Sequence, residues 1–246
     1  MAAFVLVHGG LHGGWCWERV VPLLRAAGHS VEAIDLPGAR REVAGVEVRF
    51  ADYVAATVAA AERAGEPAIL VGHSLGGRSI SAAAESRPEL VKALIYVTAV
   101  LPSPDRLVPL TVADDNIIAN AFYPVDAGAS VMLDEAAARA GFYSDCSDAD
   151  ARAAFVRLAP QPVAAMTEPV RVTDSRWGRV PRYYVFTLED RTIPLAAQRE
   201  MERHAPCAQT FELPSGHSPF YTHPAELAEI LCAIAARPVE RKPASR

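Results

Sequence analysis

No apolar run in this 246-residue chain approaches the ~20 residues needed to cross a bilayer, which sets aside a helical membrane protein. Cysteine is scarce too. The four present, Cys16, Cys146, Cys207 and Cys232, form no C-x-x-C pair, so reduced packing thiols are expected, not a disulfide frame or a zinc site. Basic charge is not in excess: 24 Lys and Arg against 29 Asp and Glu leave a net charge of −5. That balance argues against nucleic acid or an anionic membrane as the main partner. His8 and His12 have the spacing of a helical metal pair, but Gly9 and Gly10 lie between them and Gly13-Gly14 follow. No helix would present both rings on one face, so no metal and no other cofactor is expected. No basic leader precedes the strand-like Phe4-Val5-Leu6-Val7, and a cytoplasmic location is expected.

What remains is an ordinary globular composition, 51% apolar and 22% charged, in a chain long enough for one substantial core. Strand-like and helix-like stretches alternate. Strands are predicted at 4–7, 30–34, 68–71, 93–97, 182–187 and 208–213, with helices at 15–27, 50–64, 78–87, 195–204 and 224–236. Such alternation implies a mostly parallel sheet flanked by helices on both faces. Between 101 and 180 the rhythm breaks: prolines recur, and the aromatic pairs Phe122-Tyr123 and Phe142-Tyr143 appear. The segment is too long for a structureless loop and is read as an inserted helical cap, with 148–158 one of its helices. The core is then 1–100 with 181–237, and the basic, proline-containing 238–246 is expected to be a disordered tail.

Gly72-His73-Ser74-Leu75-Gly76 follows the apolar Pro67-Ala68-Ile69-Leu70-Val71 and precedes a helix. Strand, G-x-S-x-G, helix is the context of a nucleophile elbow, which would expose Ser74 at the positive end of a helix. A serine hydroxyl needs a base, itself oriented by an acid. His217, in the loop Pro214-Ser215-Gly216-His217-Ser218 after the last strand, is the best-placed base. His204 falls at a helix C-terminus, His223 at a helix start, and His73 faces away if Ser74 fills the elbow. The acid lies in Leu188-Glu189-Asp190-Arg191, where both carboxylates remain candidates. Oxyanion donors are expected from the Leu75 amide and, in the glycine-rich loop, from Gly10. All these groups follow strand ends, where parallel sheets carry their sites.

Several longer motifs resemble the α/β-hydrolase superfamily, in the branch of plant methyl esterases and hydroxynitrile lyases. They are Phe4-Val5-Leu6-Val7-His8-Gly9, His12-Gly13-Gly14-Trp15-Cys16-Trp17 and Ala33-Ile34-Asp35-Leu36-Pro37-Gly38. Leu188-Glu189-Asp190-Arg191-Thr192-Ile193-Pro194 is similar to the branch's acid loop and selects Asp190. In the cap, Phe142 to Ser147 and Leu158-Ala159-Pro160-Gln161-Pro162 resemble bacterial esterases, some of which hydrolyse pyrethroid-like esters. The resemblance implies an α/β-hydrolase fold and a cofactor-independent carboxylesterase with a small apolar or aromatic ester as partner. Leu11, Phe122, Tyr123, Phe142, Tyr143 and Trp177 are then candidate pocket residues, and a homodimer is compatible. The lyases of the branch carry Thr and Lys where this chain has Gly9 and Ser218. Two alternatives stay open: a lyase or polyketide-tailoring enzyme using the same triad, and a ligand-binding receptor on the same fold.

Overall fold

The strands at the middle of the sheet are apolar at nearly every position because both of their faces are covered. In the computed structural model, which describes residues 1–39, 47–105, 118 and 120–238, four strands are buried along most or all of their length. These are β1 (Ala3–Val7), β3 (Ala68–His73), β4 (Val91–Val97) and β8 (Arg182–Thr187). β2 (Ser30–Ile34) and β9 (Gln209–Leu213) each mix exposed and buried positions, as edge strands do. The order is β2-β1-β3-β4-β8-β9, with every pairing parallel. The expected strands are all present, within two residues of their predicted ends.

The period of two sorts the side chains into two cores. Phe4, Leu6, Ile69, Val71, Ile95, Val97 and Val185 face one side. There they meet Leu24 of α1 (Val21–Ala26) and Leu227, Leu231 and Ile234 of α9 (Pro224–Ala235). Val5, Val7, Leu70, Leu94, Tyr96, Tyr184 and Phe186 face the other. They pack on α2 (Phe50–Arg63), α3 (Gly76–Ser86) and α7 (Leu195–His204). Because β2 and β3 lie on opposite sides of β1, the chain reverses direction there. The loops leaving β1 and β3 therefore part at their carboxyl ends, and the crevice between them is where such sheets place a site.

Two expectations need correction. Residues 15–27 do not form one helix. Gly14–Trp17 is a 3-10 turn and α1 begins only at Val21, since Pro22 has no N–H to bond backwards and fits only a first turn. The stretch between β4 and β8 is not purely helical either. It contains α4 (Glu135–Gly141), α5 (Asp148–Phe155) and α6 (Val163–Thr167). A three-stranded antiparallel sheet joins them: β5 (Tyr123–Val125), β6 (Ser130–Met132) and β7 (Gln161–Pro162). Strands of two or three residues are too short to show an alternation. A further short helix, α8 (Pro219–Thr222), precedes α9. The expected disordered tail lies, apart from Pro238, outside the described residues. Among the described residues no helix is long and apolar enough to cross a membrane.

Candidate active site

β3 runs directly into the turn that holds Ser74, whose φ of +51° lies in the left-handed region that non-glycine residues rarely adopt. The turn is locked by the Ser74 carbonyl, which accepts from the amides of Gly77 (3.2 Å) and Val100 (3.0 Å). Its tightness depends on Gly76. A Cβ there would lie 2.6 Å from the His8 carbonyl oxygen and 2.7 Å from that of Val7, so only glycine lets α3 start against the end of β1. Leu75 is the N-cap residue of α3.

The glycine loop packs onto this elbow. A Cβ on Gly9 would meet the Ser74 Cβ at 2.8 Å, and one on Gly10 would meet Leu75 Cδ1 at 2.8 Å. Two buried histidines hold the loop. His8 Nδ1 donates to the Gly9 carbonyl (2.7 Å) while its Nε2 accepts from the Leu36 amide (3.0 Å). His12 Nδ1 donates to the Gly10 carbonyl (2.8 Å), and its Nε2 accepts from the Tyr143 hydroxyl (2.8 Å). Burial lowers both imidazoles' pKa values, that of His12 to about 3, so each ring is neutral with its proton on Nδ1. These are structural roles. Among the described residues no group of three His, Cys, Asp or Glu is placed to hold a metal.

His217 Nδ1 donates to Asp190 Oδ2 at 2.8 Å, with both side chains almost wholly buried. Asp190 also accepts from the hydroxyls of Thr98 and Thr187 and from the amides of Thr192 (2.7 Å) and Ile193 (2.9 Å). Burial pushes its carboxyl up. The His217 charge and the hydrogen bonds from His217, Thr98 and Ile193 outweigh that, and hold it below the usual carboxylate range. Glu189 is exposed. On the far side of the ring, His217 Nε2 is buried with no hydrogen-bond partner among the described residues. The elbow and the histidine loop are tied together by His73, whose Nε2 donates to the His217 carbonyl (2.8 Å) and whose ring lies 4.7 Å from that of His217. Burial lowers the His73 pKa well below its ordinary value. An imidazole whose Nδ1 is held on a carboxylate and whose buried Nε2 has no partner among the described residues is able to accept a proton at that atom.

The candidate pocket residues scatter. Phe142 stacks on His217 (5.5 Å, 24°), and Tyr143 lies behind it on His12. Leu11 is buried in the glycine loop with φ +63°, and Phe122 is partly buried against the same core as Phe142. Two are misplaced as pocket wall. Tyr123 is exposed on β5. Trp177 sits in the core on the opposite face of the sheet, where its Nε1 donates to Tyr96 Oη (2.9 Å). An apolar residue in an aromatic-rich insertion reads the same whether it joins a pocket or a core.

The roles of four residues are not legible in the sequence. Thr98, at φ +37° and β-branched, aims its hydroxyl at Asp190. Asp145, between α4 and α5, accepts from the Gly216 amide (2.6 Å) and Ser215 Oγ (3.3 Å). Ser218 Oγ donates to the Phe142 carbonyl (2.7 Å), and Gln161 Oε1 accepts from the Leu11 amide (3.2 Å). Asp145 and Gln161 lie inside motifs already singled out, so their segments were visible and only their roles were not.

Sheet order, elbow and the loops around it define the class: the chain belongs to the alpha/beta hydrolase family, whose model matches residues 4–230. Its relatives include esterases and hydrolases. It is 34% identical over 251 residues to a pyrethroid hydrolase of Sphingobium wenxiniae, covering 96% of this chain and 88% of that one. It is 28% identical to methylesterase 1 of Arabidopsis thaliana, covering 94% and 95%. The crystal structure of a pyrethroid hydrolase from Sphingobium faniae superposes with a TM-score of 0.84 at 32% identity, over 96% of this chain and 98% of that one.

Proposed function

We propose that the chain is a serine carboxylic ester hydrolase in which Ser74, His217 and Asp190 act together. Ser74 Oγ attacks the ester carbonyl carbon as its proton passes to His217 Nε2. The tetrahedral oxyanion is met by the amides of Gly10 and Leu75, and Asp190 balances the imidazolium. Collapse breaks the bond to the alkoxy oxygen, which leaves as the alcohol with the proton from Nε2. Water then attacks the acyl-enzyme, giving up its proton to His217, and the carboxylic acid departs as Ser74 regains its own. The observation that carries this reading is the unpartnered Nε2 of an imidazole whose Nδ1 is fixed on a buried carboxylate.

A bulky apolar ester is the proposed substrate class. Phe142 stacks on His217 and Leu11 is buried in the glycine loop, and the relatives include a hydrolase of pyrethroids. Esterase action is favoured over cyanohydrin cleavage because Ser218, directly after His217, is an uncharged hydroxyl spent on the Phe142 carbonyl. That hydroxyl offers no charge to a departing cyanide. The test is a panel of aryl, methyl and pyrethroid-like esters with mandelonitrile alongside, together with fluorophosphonate labelling. Wild-type protein should hydrolyse the esters and take the label on Ser74, and Ser74→Ala should lose both while remaining folded. A label mapped to another serine, or cyanide release rivalling the best ester in kcat/KM, would sink the reading.

A further inference from the structure

The glycine loop is held from outside the hydrolase core. Leu11, at the strained φ of +63°, is gripped on both sides of its backbone by the segment leading into β7. Its carbonyl accepts from the Ala159 amide (2.9 Å), and its amide donates to Gln161 Oε1 (3.2 Å). Gln161 is itself immobilised. It is buried, and its Nε2 donates to Tyr53 Oη of α2 (3.0 Å) and to the Pro162 carbonyl (3.2 Å). The carboxamide thus spans from α2 to the loop, and its Oε1 would lie 3.3 Å from a Cβ placed on Gly10.

A trans peptide is planar, with its carbonyl and amide pointing opposite ways, and no cis bond occurs among the described residues. Fixing one end of each peptide therefore aims the other. The 10–11 peptide is held at both ends: His12 takes the Gly10 carbonyl and Gln161 takes the Leu11 amide. Among the described residues the preceding peptide is held only at the Gly9 carbonyl, by His8. Its amide, that of Gly10, is the one expected to meet the oxyanion. Gln161 fixes the plane that follows it, and with that plane the rotation left to Gly10.

We propose that Gln161, contributed by the insertion, is a positioning residue for oxyanion stabilisation, so that docking of the insertion and alignment of the Gly10 amide are one event. The proposal rests on the esterase reading above. Without the carboxamide, the Leu11 amide loses its acceptor, and the strain at Leu11 is relieved by rotation of the two flanking peptides. The donor then misses an oxyanion that exists only in the transition state, so kcat falls while ground-state binding stays.

The experiment compares wild type, Gln161→Leu and Tyr53→Phe on an aryl ester, and measures binding of a trifluoromethyl ketone and its non-fluorinated counterpart. Ser74 adds to the fluorinated carbonyl, passing its proton to His217, and leaves an oxyanion in the hole. Gln161→Leu should lower kcat about ten- to hundredfold, the range below outright removal of a donor, with KM within about twofold. Affinity for the trifluoromethyl ketone should fall by the same factor as kcat, and affinity for the plain ketone should not change. Tyr53→Phe, which frees the carboxamide without removing it, should show the same pattern at a smaller factor and carries the test if Gln161→Leu fails to fold. A variant with unchanged kcat, or a loss confined to KM, would overturn the proposal. Failure of the esterase reading looks different: wild type would neither hydrolyse ester nor bind the fluorinated ketone, and the proposal would fall with it.

Discussion

Replacing Asp190 by Asn changes one atom, and the surrounding donors dictate where it goes. Oδ1 accepts from two backbone amides, Thr192 and Ile193, which cannot turn away. Oδ2 accepts from His217 Nδ1 and from the hydroxyls of Thr98 and Thr187, which can rotate to become acceptors. The asparagine oxygen is therefore forced toward the amides and its NH2 toward the histidine. An NH2 facing Nδ1 must donate, so the imidazole proton moves to Nε2, where the base is needed. The expected result is a loss of about 10⁴ in kcat, equivalent to about 5 kcal/mol of transition-state stabilisation, as for the same change in a serine protease. The assay is kcat/KM on an aryl ester, with thermal unfolding as a control for folding. Glu189→Gln should stay within about twofold of wild type, since that carboxylate is exposed. A severe Glu189→Gln beside a mild Asp190→Asn, in proteins of equal stability, would refute the reasoning. Acid titration gives a second check. Asp190 is depressed in the folded state, so its contribution is complete above the unfolded value of about 3.9 and is lost as pH falls through the folded one. The stability gap between wild type and Asp190→Asn should shrink below about pH 4.

Other perturbations test the placement of single groups. Trp177→Phe removes the bond to Tyr96 on the far face of the sheet; it should cost about 1–3 kcal/mol in denaturant unfolding and leave KM for every ester unchanged. A shift in KM between small and bulky esters would return Trp177 to the pocket. Gly76→Ala drives a Cβ into two backbone carbonyls, and calorimetry should show a loss of about 3 kcal/mol or more. Retention of full stability would mean that the elbow is looser than its contacts imply.

The sheet was legible because strand-like and helix-like stretches alternate along the chain, and the site was legible because G-x-S-x-G and the two later loops all follow strand ends. Asp190 was separated from Glu189 only by family resemblance. Adjacent carboxylates look alike in a sequence, and what distinguishes them here is that four donors besides His217 converge on one and solvent on the other. Thr98 left no trace, since a strained φ has no sequence signature when the residue is not glycine. Gln161 and Asp145 act through contacts 150 and 71 residues away, and no local pattern reports those. Trp177 was misassigned because bulk and apolarity do not say which side of a sheet a returning segment reaches.

The buried histidines around the glycine loop and elbow have a consequence for the life of the protein outside neutral solution. His8, His12 and His73 are all neutral in the fold, their pKa values depressed by burial below the ~6.5 of a free imidazole. Once unfolded, all three take up protons as pH drops through that value, while the folded chain does not. Each therefore shifts the balance toward the unfolded side as pH falls below the free imidazole value, and His12 goes on doing so down to its folded value of about 3. The imidazoles that fix the loop by staying uncharged thus begin to favour the unfolded chain at a higher pH than its carboxylates do.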